Sequence, residues 1–207
     1  MLVDDHPLLR KGLNQLILMD DELEVVAEAS NGIEAIELAS EFEPDLIILD
    51  LNMQGMDGLQ TLKAMRDKEI TSRIVMLTVS DADEDVVEAI SQGADGYLLK
   101  DSDPELLLDN IKRALNGKMV LSEAVTEVLA TALRRPTVKP VAELNSLTNR
   151  EYEILSLIAK GMSNKVIARE LDISDGTVKV HVKHLLKKLG LRSRVEAAVW
   201  MVEQQSS

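Results

Sequence analysis

A chain of 207 residues with a formal net charge of −13 is long enough for one large domain or two small ones, each with a workable core. It has no cysteine, which excludes disulfides and thiolate metal sites, and only 2% aromatic residues, too few for the stacking platforms of single-strand or RNA binders. No apolar stretch approaches the ~18 residues of a membrane span, and no charged leader, Walker loop or dinucleotide fingerprint occurs. The expectation is therefore a cytoplasmic protein with no membrane role.

From residue 1 to about 117, short apolar runs alternate with amphipathic segments in five rounds, the pattern of a doubly wound parallel βα sheet. The runs are residues 1–3, 25–27, 46–49, 74–77 and 97–99, aliphatic or β-branched and too short for free helices. Helices are predicted over 8–18, 32–41, 59–66, 84–92 and 104–116, the last opening on Asp103-Pro104, a capping residue followed by proline at the first helical position. The first run is shorter than the ~5 or 6 residues typical of a strand. The expectation is that Met1 is a misplaced start or a truncation.

Residues 122–133 read as one more helix, and Arg134-Arg135-Pro136-Thr137-Val138-Lys139-Pro140 as an exposed linker. The balance of charge changes across it, from −16 up to Leu144 to +3 from Asn145 onward. Any contact with DNA is thus expected in the carboxyl part.

That part is all helical and dense in caps. Thr148 and Glu151 form a capping box, Gly161 ends the helix, Ser163 and Ser174 start the next two, and Ser193 starts a last one through Trp200. The turn Asp172-Ile173-Ser174 between two helices gives the form of a helix-turn-helix.

Chemistry is expected where the strands of the sheet end, because open α/β sheets carry their sites outside the carboxyl ends of their strands. There stand Asp4 and Asp5, then Asp50, Thr78 and Lys100. Three carboxylates at one edge repel unless a cation lies between them, and Mg²⁺ takes oxygen ligands; Asp5 and Asp50 would be direct ligands. A carboxylate beside Mg²⁺ can attack phosphorus, with Lys100 and Thr78 neutralising and hydrogen-bonding the phosphoryl oxygens. One aspartate at a strand end is most often a solvated cap. Suitable residue types after four of the five strands are hard to reconcile with that.

In the helical part, Val178, Val182, Leu185, Leu186 and Leu189 form an apolar stripe, and Lys179, Lys183 and Lys187 recur every four residues on another face. Residues 174–194 hold six basic side chains and one acid, Asp175. Such a helix can bury one side and offer the other to a major groove and its phosphates. His181 and His184, without further ligands nearby, read as polar surface, and Trp200 as core.

Val3-Asp4-Asp5-His6-Pro7, Leu49-Asp50-Leu51-Asn52-Met53, Thr78-Val79-Ser80 and Gly96-Tyr97-Leu98-Leu99-Lys100-Asp101 resemble the receiver domain of bacterial two-component response regulators. The resemblance covers residues 1–117 and implies a flavodoxin-like (CheY-like) five-stranded parallel fold. It implies that Asp50 accepts a phosphoryl group from a sensor histidine kinase. It also implies that Asp4 and Asp5 hold Mg²⁺ with the backbone carbonyl of Asn52, and that Thr78 and Tyr97 form the switch pair. Pattern alone reads Tyr97 as half-buried core. Gln54 stands where this family usually has proline.

Residues 146–199, from Leu147-Thr148-Asn149-Arg150-Glu151 to Arg194-Val195-Glu196-Ala197-Ala198, resemble the four-helix LuxR-type helix-turn-helix domain. The run Val178-Lys179-Val180-His181-Val182-Lys183-His184 narrows the likeness to the nitrate/nitrite response regulators of the NarL/FixJ family. The resemblance implies base contacts from Lys179, Val180 and Lys183, with phosphate contacts from His184 and Lys187. It further implies a homodimer on inverted repeats of double-stranded DNA when phosphorylated, a packed form that hides the recognition helix beforehand, and contact with RNA polymerase.

The expected organisation is a receiver over 1–117, a helical segment and linker over 118–145, and a DNA-binding domain over 146–207. The expected function is transcription control rather than enzymatic turnover. An aspartate-nucleophile phosphohydrolase would want a second acid where Asn52 stands, and a ligand-sensing LuxR-type receptor would have no use for the acidic edge.

Overall fold

The computed structural model describes residues 1–79, 83–121, 126 and 146–205. Its first unit is a parallel sheet in the order β2-β1-β3-β4-β5-β6, with β1 at Leu2–Val3, β2 at Glu28–Ala29, β3 at Leu46–Asp50, β4 at Arg73–Thr78, β5 at Gly96–Leu99 and β6 at Val120–Leu121. Helices α1 (Pro7–Ile17), α2 (Gly32–Phe42), α3 (Gly58–Asp67), α4 (Asp83–Ser91) and α5 (Pro104–Leu115) alternate with the first five strands.

Strand alternation sorts the core into two layers, since successive side chains face opposite sides of a sheet. Ile47, Leu49, Ile74, Met76 and Tyr97 pack with residues of α2, α3 and α4, while Leu46, Ile48, Val75, Leu77 and Leu98 pack with those of α1 and α5. Both faces are covered, which is why β3, β4 and β5 are apolar apart from the end residues Asp50, Arg73 and Thr78.

Two expectations need correction. The sheet has six strands rather than five, because Gly117, at φ 97°, turns the chain after α5 and lets Val120 and Leu121 pair with Gly96 and Tyr97. The second strand lies at Glu28–Ala29 rather than 25–27. Its partner β1 has only two residues, and the ladder forms where they reach, Leu2 opposite Glu28 and Val3 opposite Ala29. The predicted helix over 122–133, apart from residue 126, and the linker over 134–140 lie outside the described residues.

The second unit holds α6 (Asn149–Ala159), α7 (Asn164–Glu170), α8 (Asp175–Leu189) and α9 (Arg194–Gln205). The Thr148–Glu151 capping box is reciprocal, Ser163 and Ser174 each accept a bond from the first turn of their helices, and Gly190 ends α8 at φ 65°. Ile154, Ile158, Ile167, Val178, Val182, Leu186 and Trp200 share one core. No helix among the described residues is long and apolar enough to cross a membrane.

Candidate phosphoacceptor site and nucleic-acid interface

The carboxyl ends of β1 and β3 adjoin at the point where the strand order reverses, and connections leaving in opposite directions open a crevice there. Asp4, Asp5, His6 and Asp50 bring ligand-capable atoms within 4.8 Å of one another. Asp4 and Asp50 are buried, at 2% exposure each. Lys100 Nζ lies 2.8 Å from Asp4 Oδ2 and 2.9 Å from Asp50 Oδ2, and Lys100 N–H donates to the Thr78 carbonyl at 2.8 Å, which sets the lysine at the tip of β5. Thr78 ends β4 and is fully buried.

Burial raises the Asp50 carboxyl above its ordinary pKa against the opposing pull of Lys100, and Asp4 adds to the rise. The donor set is all oxygen apart from His6, so it fits a hard cation such as Mg²⁺. Asn52 N–H donates to Asp50 Oδ1 at 3.3 Å, placing Asn52 at the rim. Tyr97 lies in the sheet core with no exposed surface, deeper than the half-buried position expected of it.

At the other pole, the amino ends of the same strands face α8. Lys179 Nζ donates to the Glu43 carbonyl at 2.8 Å and lies 3.6 Å from Asp45. Glu69 meets Lys183 at 3.2 Å and Lys187 at 2.7 Å. Val180 lines the cavity between the units, and His184 is exposed. Lys179, Lys183 and Lys187 thus point at receiver carboxylates. Gly117 approaches Gly161 so closely that a Cβ on it would lie 2.1 Å from the Gly161 carbonyl oxygen.

Residues 1–112 match the model of the response regulator receiver domain, and residues 145–201 that of the bacterial regulatory proteins of the luxR family. The chain belongs to the LuxR-family response regulators. It is 57% identical over 205 residues to the nitrate/nitrite response regulator protein NarL of Escherichia coli K12, covering 99% of this chain and 95% of that protein. It is 49% identical over 207 residues to NarP of the same strain, covering 100% and 95%. Among solved structures, the response regulator ChrA of a heme-sensing two-component system is 33% identical, with a TM-score of 0.52 over 99% of this chain and 96% of that one. A LuxR-family response regulator from Aurantimonas sp. SI85-9A1 is also 33% identical, with a TM-score of 0.61 over 65% and 96%.

In this response regulator the sequence reading gave no role at the acidic crevice to Gly58, His6 or Gln54. Gly58 donates its N–H to the Leu51 carbonyl at 2.8 Å, and a Cβ there would lie 2.2 Å from the Asp50 carbonyl oxygen. Only a glycine lets α3 start so close to the end of β3, and the Gly55–Gly58 spacing was the available signal. His6 Nδ1 lies 2.8 Å from Asp5 Oδ1 and 3.4 Å from Asp4 Oδ1. Gln54 N–H donates to Asp5 Oδ2 at 3.0 Å, a bond that proline at this position lacks the hydrogen to make.

Proposed function

We propose that this regulator controls nitrate- and nitrite-responsive genes of anaerobic respiration, acting in the cytoplasm as the phosphorylated partner of a sensor histidine kinase. The nitrate and nitrite assignment rests on its likeness to NarL and NarP. Domain limits of 1–117 and 146–207, joined by 118–145, accompany this reading.

Asp50 is the phosphoacceptor. An oxygen of its carboxylate forms a bond to phosphorus as the bond from phosphorus to the kinase's histidine nitrogen breaks, and the imidazole leaves with the electron pair. Asp4, Asp5, Asp50 and the Asn52 backbone carbonyl would hold Mg²⁺, which when bound offsets charge on the phosphoryl oxygens. Lys100, already between Asp4 and Asp50, keeps its positive charge at the new group, and the Thr78 hydroxyl donates to another of its oxygens. The acyl phosphate carries about −1.5 to −2 charges in place of one. Thr78 and Tyr97 repack in response, and the helical unit leaves the receiver. Two copies then bind an inverted repeat, with Lys179, Val180 and Lys183 at base edges and His184 and Lys187 at phosphates, and engage RNA polymerase.

The observation that carries this reading is the pairing of the α8 lysines with Asp45 and Glu69 of the receiver, which leaves them unavailable to DNA in the packed form. Footprinting on an inverted-repeat site with and without acetyl phosphate tests it. Asp50→Asn is expected to abolish both labelling and phosphorylation-dependent protection; labelling that persists overturns the nucleophile assignment. Lys179→Ala is expected to relax base preference at one site position at a cost of about 1 to 3 kcal/mol. A uniform loss across all sequences would make Lys179 a phosphate contact instead.

A further inference from the structure

Between the receiver and the helical unit lies a cavity of about 640 Å³, within the size range of small-molecule sites. Eight cationic side chains line it against four carboxylates, a local excess of positive charge in a chain of net charge −13. Asp45 and Glu69 are already engaged with the lysines of α7 and α8.

Two of the lining cations are themselves buried, Arg73 at the start of β4 and Arg194 at the start of α9, each 6% exposed. Arg73 Nη1 and Arg194 Nε have no hydrogen-bond partner among the described residues. Arg194 does use its other nitrogens, donating to Asn164 Oδ1 and the Met162 carbonyl. A third buried guanidinium, Arg66, is fully employed by Asp95 at 2.8 Å and by the Gly93, Ile70 and Ser72 carbonyls.

Asp95 and Asp175 are the carboxylates that act on this group. Asp95 holds Arg66 and the Ile74 N–H through Oδ2 alone, and Asp175 Oδ2 lies 3.7 Å from Lys179; Asp95 Oδ1 and Asp175 Oδ1 are, like the two arginine nitrogens, buried without a hydrogen-bond partner among the described residues. Burial first, and then the charge of Arg73, pushes the Arg194 guanidinium down to about 9 against the pull of Asp95 and Asp175. A buried cation without a close counter-charge is costly, and an anion that brings hydrogen-bond acceptors relieves the cost.

We propose that this cleft binds a small phosphate-type oxyanion between Arg73 of the receiver and Arg194 of the helical unit. Lys68 and Arg169 line the same cavity and add charge around the anion. A guanidinium from each side offers the anion an N–H donor with no other partner among the described residues, Arg73 Nη1 and Arg194 Nε. Because one arginine comes from each unit, the complete site exists only in the packed form, so the anion stabilises packing by mass action. Its effect on DNA binding rests on reading the packed form as silent; the binding experiment below does not.

The test uses the full-length Asp50→Asn protein with EDTA, so that neither phosphorylation nor a metal at the acidic crevice contributes. Inorganic phosphate and, in a second arm, glycerol 3-phosphate are titrated at constant ionic strength, followed by calorimetry and by phosphorus NMR line broadening. Saturable binding at one site is expected, weakened about tenfold or more by Arg73→Gln and also weakened by Lys68→Glu, an exposed substitution that spares the fold. Unaltered Trp200 fluorescence and helical circular dichroism confirm that the variants are folded. Small-angle scattering is expected to show that the anion narrows the distribution of dimensions toward the packed form. Tighter binding of the ester assigns the site to phosphorylated metabolites, and tighter binding of phosphate to the free ion. Non-saturable binding in both arms, or equal affinity in folded Arg73→Gln, overturns the proposal.

Discussion

At the scale of the residue, the role proposed for Asp50 sets function against stability. It is a buried carboxylate beside a second one, Asp4, with a single ammonium between them. Its pKa is raised by burial, so its ionised form is the one the fold disfavours. The sign follows from linkage: Asp50 contributes most below the unfolded value, near the ordinary carboxylate pKa, and that contribution is lost as pH climbs through the folded value. At neutral pH it is a liability. Asp50→Asn is therefore expected to stabilise the receiver by about 0.5 to 2 kcal/mol while abolishing phosphorylation, read from the midpoint of urea unfolding at pH 7 without Mg²⁺; a lower midpoint would refute it. The acidic crevice was legible in the sequence because each residue follows an apolar run, and parallel strands bring such positions to one edge. The glycine requirement at Gly58 was not, since it depends on the distance between α3 and the Asp50 carbonyl.

At the scale of the element, the caps were the most legible feature and their tertiary use the least. Thr148 and Glu151 stand at the spacing of a capping box, and the box is formed. Glu151 is also buried, and Lys188 on α8 reaches it at 2.7 Å, a contact between helices that local spacing does not reveal. Burial alone would raise its pKa. The bonds from Lys188 and from the Thr148 N–H and hydroxyl outweigh that and hold it at about 2. With the folded value depressed, the contribution is present above the ordinary glutamate pKa and is lost as pH falls toward about 2. The helical unit is expected to lose about 2 kcal/mol over this interval, seen as a falling unfolding midpoint by circular dichroism. Glu151→Gln should flatten that dependence and lower stability at neutral pH. An equally steep dependence in the variant would assign it to other carboxylates.

At the scale of the whole molecule, the receiver strands connect two poles. β3 begins after Asp45, which pairs with Lys179, and ends at Asp50. β4 begins at Arg73, which lines the cleft, and ends at Thr78. β5 begins after Asp95, which holds Arg66, and is followed by Lys100. A five-residue strand such as β3 spans roughly 17 Å, so a charge added at Asp50 has no direct purchase on the lysines of α8, and in the proposed mechanism the packed units are the two-state element that both poles bias. Nothing in the sequence marks Asp45 and Glu69 for this role, because their partners lie in another unit. Glu69 tests the coupling. It is held below its ordinary pKa by Lys187 and then Lys183, and both pairs are partly exposed, so they weaken with salt. Glu69→Lys replaces two attractions by two repulsions at a surface position that leaves the acidic crevice untouched. Small-angle scattering of the unphosphorylated variant is expected to show larger dimensions, and its affinity for an inverted-repeat site is expected to approach that of the phosphorylated parent. Acetyl phosphate should then add little. Unchanged dimensions together with full dependence on phosphorylation would place the restraint elsewhere, at the close approach of Gly117 to Gly161 or in the arginine-lined cleft.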